Sequence, residues 1–277
     1  MAKAQGIIGN FKGKIGNTVG YQLTSSNNKQ TQGIRIYQPN VKNPKTSAQA
    51  EQRAKLAPIN ATYRALKMVI DRGNEGLPYG NKSRLAWLKQ AFKATTMPWY
   101  EKGASIVMPV ECHLTKGSLP GINYKATEGG LTIECPGVKD ETVVNTIGKI
   151  SEALLAGYPA LKAGDQITIV VAGPQNEALD ATITSFVIDT ADSTAISGFT
   201  AAVDKILFGS NGVSGSGAVI VSREGANGEH LRSTSFLDVD DGLDTDAPYD
   251  AASKTAAIKS YMTSGAANTD WAEESIK

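Results

Sequence analysis

The chain has 277 residues, 41% of them hydrophobic and 20% charged. That is enough for one large domain or two modest ones with a full core, and no apolar run approaches the ~20 residues of a membrane-spanning helix. The formal net charge of +1 conceals a polarised chain: residues 1–102 carry 17 Lys and Arg against 4 Asp and Glu, and residues 103–277 carry 11 against 23.

The first 14 residues, MAKAQGIIGNFKGK, contain no apolar block of signal-peptide length, so export by that route is not expected. The overlapping stretch GIIGNFKGKIGNTVG (6–20) places glycine at 6, 9, 13, 16 and 20. A phosphate loop would need G-x-x-x-x-G-K-[ST], but here the spacing is one residue short and Ile15 stands in the hydroxyl position. A helix carrying five glycines would lose about 1 kcal/mol at each relative to alanine. Irregular or extended backbone, shaped for close approach by another chain, is the reading that remains. YQLTSSNNKQTQGIRIYQP then predicts two short strands around a polar turn at Ser25–Lys29.

Next, Thr46 and Gln49 form a T-x-x-Q capping box, and Ile59, Tyr63, Leu66 and Ile70 make one helical stripe. Pro58 predicts a kink or a break within it. A second helix is expected over Lys82–Lys93, with Leu85, Leu88 and Phe92 on its apolar face and Trp87 nearby.

From Ser105 the texture changes to short strands: SIVMPVECHL, GINYKAT, GLTIEC, DQITIVVAG, ATITSFVID, GAVIVSRE and LRSTSFLDV. ETVVNTIGKISEALLAG (141–157) predicts an intervening helix and DAASKTAAIKSYM (250–262) a final one; between them, residues 238–250 form an acidic loop. The expected fold class is α+β: an N-terminal β arm or hairpin plus helices, followed by an antiparallel β-sandwich or barrel. The expected domains are a basic arm and helical segment, 1–102, and an acidic β-sandwich, 103–277.

The chain offers little chemistry to a catalytic reading. There is no H-E-x-x-H, C-x-x-C or G-x-S-x-G, and only two histidines, His113 and His230. His113 neighbours Cys112, but adjacent strand residues point to opposite faces and make a poor metal pair. Cys112 and Cys135 are expected to be buried free thiols. The acidic loop lacks the EF-hand register, and the serines near His230 and Glu229 are read as ordinary turn serines and not as a Ser-His-acid triad. No catalytic residue, metal site or cofactor is expected.

The basic segment is more informative. Lys12, Lys14, Lys29, Arg35, Lys42, Lys45, Arg53 and Lys55 are interleaved with Tyr21 and Tyr37, and Gly13 and Gly16 lie between the first lysines. These twelve residues are the candidate contact set for a protein partner or a nucleic acid. Phosphate backbones attract such surfaces and aromatic faces stack on bases, but no sequence-reading motif accompanies them. A solvated basic surface, or neutralisation of one half by the other within a molecule, also accounts for the charges. The series G-K-I-G-N-x-V-x-Y (13–21), I-R-x-Y-Q-P (34–39) and N-P-K-T-x-A-Q-x-x-Q-R (43–53) resembles the N-terminal signature of small uncharacterised structural-type proteins of Bacteroidota and their phages.

That resemblance implies a non-enzymatic virion component, made in the bacterial cytoplasm, whose partners are other copies of itself and other virion proteins. It implies no active-site residues. Two alternatives stay open: a non-sequence-specific DNA- or RNA-binding protein on a packaged or single-stranded genome, and a carbohydrate-binding sandwich. Against the latter stands the scarcity of tryptophan beyond residue 99, where only Trp271 is found. No membrane contact is expected.

Overall fold

The computed structural model describes residues 13–24, 30–37, 46–94, 96–127, 130–136, 138, 146–209, 215–226, 228–240 and 249–262. The chain forms two compact units, Met1–Lys45 and Thr46–Lys277. The change of charge and texture near Gly103 therefore falls inside the second unit. Helices from before that point share a core with strands from after it.

The first unit is an antiparallel three-stranded sheet in chain order: β1 (Gly13–Ile15), β2 (Thr18–Thr24) and β3 (Gln30–Ile36). Gly16 and Asn17 make the two-residue β1–β2 turn, with Gly16 at φ +57°, the left-handed region that favours glycine. The expected hairpin is present, and β1 adds a third strand from the glycine-rich stretch.

The second unit opens with α1 (Ser47–Ala65) and α2 (Lys67–Ile70). Thr46 Oγ1 accepts the Gln49 N–H at 3.3 Å, which is half of the expected capping box. The other half is not made, because Gln49 Oε1 is buried without a hydrogen-bond partner. The helix runs through Pro58, whose carbonyl accepts the Thr62 hydroxyl at 2.9 Å, and the break comes at Leu66 instead. Ile59, Leu66 and Ile70 are fully buried, as the stripe predicts.

In α3 (Asn81–Ala91) the buried face is Ser83, Trp87 and Ala91. Leu85 is 49% exposed, contrary to the expected face, because the large Trp87 ring takes the core position and rotates Leu85 outward.

The strands follow as β4 (His113–Thr115), β5 (Tyr124–Thr127) and β6 (Gly130–Glu134); then α4 (Ile147–Gly157); then β7 (Gln166–Gln175), β8 (Ala178–Val187), β9 (Phe199–Ala202), β10 (Lys205–Gly209), β11 (Ser216–Glu224), β12 (His230–Arg232), β13 (Ser235–Phe236) and β14 (Asp238–Val239). Helix α5 (Ala251–Met262) ends the described chain. Of the expected strand 105–114, only its last two residues join a ladder. Before them the Met108 N–H goes to Tyr100 Oη and the Val110 N–H to Thr62 Oγ1, so residues 108–110 are buried without sheet pairing.

These elements form three layers. A small sheet of order β5-β6-β10-β9 packs on a larger one of order β12-β11-β7-β8, in which β14 also pairs with β11. Ile167, Ile169 and Val171 of β7 and Val219 and Val221 of β11 face the small sheet and α4. Val170 and Ala172 of β7 and Ala218 and Ile220 of β11 face the helices, beside Ile59, Leu66 and Trp87. Burial on both faces explains why ITIVVA and AVIV read as continuous apolar runs. The sheets come so close at Gly217 that a Cβ there would lie 2.6 Å from Leu131 Cδ1. The architecture is a mixed α+β fold with an antiparallel sandwich at its centre, and none of its described sheets closes into a barrel.

Segment 230–239 runs antiparallel along β11. It pairs at Ser222–Glu224 through β12 and again at Ser216–Gly217 through β14. Between them, buried hydroxyls bridge the gap: Ser233 Oγ accepts the Val221 N–H at 2.9 Å, and Ser235 Oγ donates to the Val219 carbonyl at 2.5 Å. At the start of β7, Asp165, 1% exposed, accepts a bidentate pair from Arg223 at 2.5 and 2.7 Å and the Lys162 N–H at 2.8 Å. Replacing Asp165 with alanine leaves a partly buried guanidinium without its counter-charge. The expected loss is about 3 kcal/mol of unfolding free energy, at the low end for a broken buried pair because Arg223 keeps some exposure. Urea denaturation of Asp165→Ala checks this.

Candidate functional site

The candidate contact set divides between the two units. Cross-strand register aligns Lys14 with Val19 and Arg35, and Tyr21 with Gly33. Opposed residues share a face, so Lys14, Val19, Tyr21 and Arg35 lie on one side of the small sheet, with Tyr37 just beyond it. Lys14 Nζ sits 3.6 Å from the centre of the Tyr37 ring, a cation–π contact. The Tyr21 ring covers Gly33 so closely that a Cβ there would lie 2.5 Å from Tyr21 Cζ. Both tyrosines thus spend one ring face inside the unit.

The opposite face is apolar beside the β1–β2 turn and becomes polar at Gln22. It carries Ile15, Ile34 and Ile36, exposed by 57, 41 and 74%, together with Gly13, Thr18 and Gly20. The signal was present as alternation in GIRI, but its exposure follows from having no helix or second sheet of its own unit over it among the described residues.

The other predicted residues are placed differently. Lys12, Lys29, Lys42 and Lys45 lie outside the described residues, as do Ser25–Lys29, residues 141–145 and residues 241–248 of the acidic loop. Arg53 and Lys55 are on α1, in the second unit. Arg53 is exposed. Lys55 is engaged in a clasp between α1 and α5: Glu51 accepts both Lys55 Nζ at 3.2 Å and Lys254 Nζ at 3.1 Å. The Lys254 contact, with help from Lys55 and against a smaller burial cost, holds the Glu51 carboxyl below its ordinary range.

The charge pattern follows the division into units. Residues 1–50 contain seven Lys and Arg and no Asp or Glu. Residues 163–204, which span the whole β7–β8 hairpin, contain six Asp and Glu and no Lys or Arg. The N-terminal unit is therefore purely basic and the β7–β8 hairpin purely acidic, as is a second stretch, residues 233–253, with six Asp and no Lys or Arg.

The serines near His230 are committed to structure: Ser233 and Ser235 are buried and bonded to the β11 backbone. The His230 ring packs on Tyr79 at 5.7 Å. Cys112 and Cys135 are free and buried, and burial pushes their thiols up to about 12 and about 11. His113 is exposed where Cys112 is buried, so the two do point apart. No group of three metal-ligating side chains occurs among the described residues, and no helix among them is long and apolar enough to cross a membrane.

A cleft of about 500 Å³ lies between the α2–α3 loop and residues 116–118, lined in part by Asn74, Glu75, Gln90 and Lys116. Glu75 ties its walls together. Its carboxylate accepts the Ser118 N–H and hydroxyl, both at 2.9 Å, and the Arg232 N–H at 3.1 Å. Gly117 is packed so tightly there that a Cβ would lie 2.1 Å from the Arg232 carbonyl oxygen. Comparison with protein-family models, with curated proteins and with solved structures found no match.

Burial alone would raise the Glu75 pKa, but the donors from Ser118 and Arg232 together outweigh it and hold the carboxyl below its usual 4.5. A depressed folded-state pKa contributes stability that is present above the unfolded value and is lost as pH falls through the folded one. Glu75→Gln is therefore expected to be less stable than the parent at pH 7, with the difference shrinking as pH drops below about 4.5. Thermal melts across that range check it.

Proposed function

We propose that this protein is a non-enzymatic structural subunit, a component of a bacteriophage particle of the Bacteroidota type, which assembles in many copies through its basic N-terminal unit. The single observation that carries the reading is the composition of that unit: a small separate sheet, basic without any acidic residue, with three exposed isoleucines on one face. A sheet of three short strands is marginal by itself, and its apolar face gains stability by being covered. The body, residues 46–277, carries 21 Lys and Arg against 27 Asp and Glu. A basic arm on one copy meeting an acidic body on the next makes a head-to-tail contact, which closes into rings or propagates into shells.

A second reading, in which the basic unit lies on DNA or RNA, is favoured by Lys14 and Arg35 sharing a face with Tyr21 and Tyr37. Base stacking on those tyrosines is limited to the ring face that Gly33 and Lys14 leave open.

Light scattering coupled to size exclusion, at low and high salt and with the 260/280 nm ratio recorded, separates the two. Self-assembly predicts a large mass with a protein-like ratio that shrinks toward monomer as the screening length falls from about 10 Å at 0.1 M to about 3 Å at 1 M salt. Deleting residues 1–45 should leave a folded monomer, because every buried cluster found lies within residues 50–262. A nucleic-acid ratio that disappears at high salt to leave monomer would favour the second reading. Monomer under both conditions would overturn the assembly reading.

A further inference from the structure

Building on the assembly reading, we propose that the free edge of β8 receives β3 of a second copy as an added antiparallel strand. Among the described residues both strands are sheet edges in one chain: β3 pairs with β2 alone, and β8 with β7 alone. Open edges of this kind are ordinarily kept short, or interrupted by Pro, Lys or a bulge. The other edges of the sandwich are short: β5 and β9 have four residues each and β12 has three. Strand β8 has ten residues in uninterrupted register with β7, and contains no Pro, Lys or Arg.

Ladder parity fixes which groups the two edges present. Asn176 and Glu177 form the two-residue β7–β8 turn, so Gln175 and Ala178 exchange both hydrogen bonds and every second pair does likewise. The far end agrees, since the Ile188 N–H donates to the Asp165 carbonyl at 2.8 Å. Leu179, Ala181, Ile183, Ser185 and Val187 therefore direct their backbone groups away from β7. The Ala181 N–H, lacking a strand partner, is taken by its neighbour's carboxylate, Asp180 Oδ1, at 2.8 Å. In the small sheet the Tyr37 N–H donates to the Asn17 carbonyl at 2.7 Å, so the outward positions of β3 are Gln30, Gln32, Ile34 and Ile36.

Joining these edges antiparallel puts outward residue opposite outward residue, with side chains on a common face. Ile34 and Ile36 then fall beside Leu179, Ala181 and Ile183, which are only partly buried at the rim of the helix-side core. Arg35 falls on the other face, the face of the exposed Asp180. One geometry thus covers the isoleucines, extends an unfinished core and brings the acid-free basic unit to the acidic β7–β8 hairpin. A second copy fits better than two N-terminal units stacked on each other, because that arrangement would oppose two acid-free basic sheets.

The test uses the full-length protein. Ser185→Pro removes an outward N–H at an exposed edge position and leaves the backbone ladder to β7 intact, giving up only the exposed Ser185 Oγ–Thr168 Oγ1 hydrogen bond, and Asp180→Lys reverses the charge on that edge. Each is expected to weaken assembly by about tenfold or more, the scale of one lost hydrogen bond or close charge pair, with the melting temperature little changed.

In parallel, a mixture of Gln32→Cys and Ser185→Cys proteins is treated with a short bismaleimide, because the antiparallel register that sets Ile34 beside Ile183 or Ala181 brings position 32 opposite position 185 or two residues from it. The native cysteines are buried and do not compete. A cross-linked heterodimer supports the proposal. A folded Ser185→Pro protein that assembles as the parent does, while deletion of 1–45 abolishes assembly, would overturn the β8 edge and leave the assembly reading standing. Cross-linking of Ser185→Cys to itself would assign the edge to β8–β8 pairing, and cross-linking only within a doubly substituted chain would assign it to pairing within one molecule. Either result overturns the proposal.

Discussion

The structure depends on a central pair of strands, β7 and β11, that must be covered on both faces. Their registered ladder places Ile169 opposite Val219 on one side and Val170 opposite Ala218 on the other, and all four are buried. Burying a side chain of this size contributes on the order of 1.5–3 kcal/mol, so neither face can be left to solvent. The small sheet and α4 supply one cover and α1–α3 with α5 supply the other. The basic helical region is thus half of the enclosure of the acidic β region, and the two cannot be separated at the point where the charge changes sign.

That enclosure dictates the irregular features around it. Residues 105–112 thread between α1 and the sheet, so their donors are met by Thr62 and Tyr100 rather than by a neighbouring strand. Segment 230–239 cannot pair with β11 along its whole length, and Ser233 and Ser235 replace the missing ladder bonds with hydroxyls. A buried donor left unpaired would cost about 1–3 kcal/mol, which explains polar side chains in a dry place without any catalytic role for them.

The N-terminal unit obeys a different balance. Three short strands cannot enclose a core, and this one turns lysine, arginine and tyrosine to one side and isoleucine to the other. Its Gly33–Tyr21 and Lys14–Tyr37 contacts order the polar face locally, while no described residue of its own unit does the same for the apolar face. The long edge of β8 poses the complementary problem in the body. Leu179, Ala181 and Ile183 sit half-covered at the end of a core, and the backbone groups beside them lack a partner strand among the described residues.

The sequence by itself determined the elements whose signal is local. The Ile59–Ile70 stripe, the α5 helix, strands β2 and β3 and most sandwich strands are written as periodicity and turn chemistry, which depend on neighbours a few residues away. It also showed the segregation of charge and the basic–aromatic interleaving from which the candidate contact set was drawn. Only the tertiary structure decided that Trp87 and not Leu85 faces the core, that 105–112 is extended without a ladder, and that FTAAVDKILFG pairs as β9 and β10 beside β6. It likewise decided that Lys55 belongs to a helix clasp, while Lys14 and Arg35 share a sheet face. The reason is the same in each case: these outcomes turn on which residue wins a contact with a distant part of the chain, and that competition leaves no periodic trace in the segment itself.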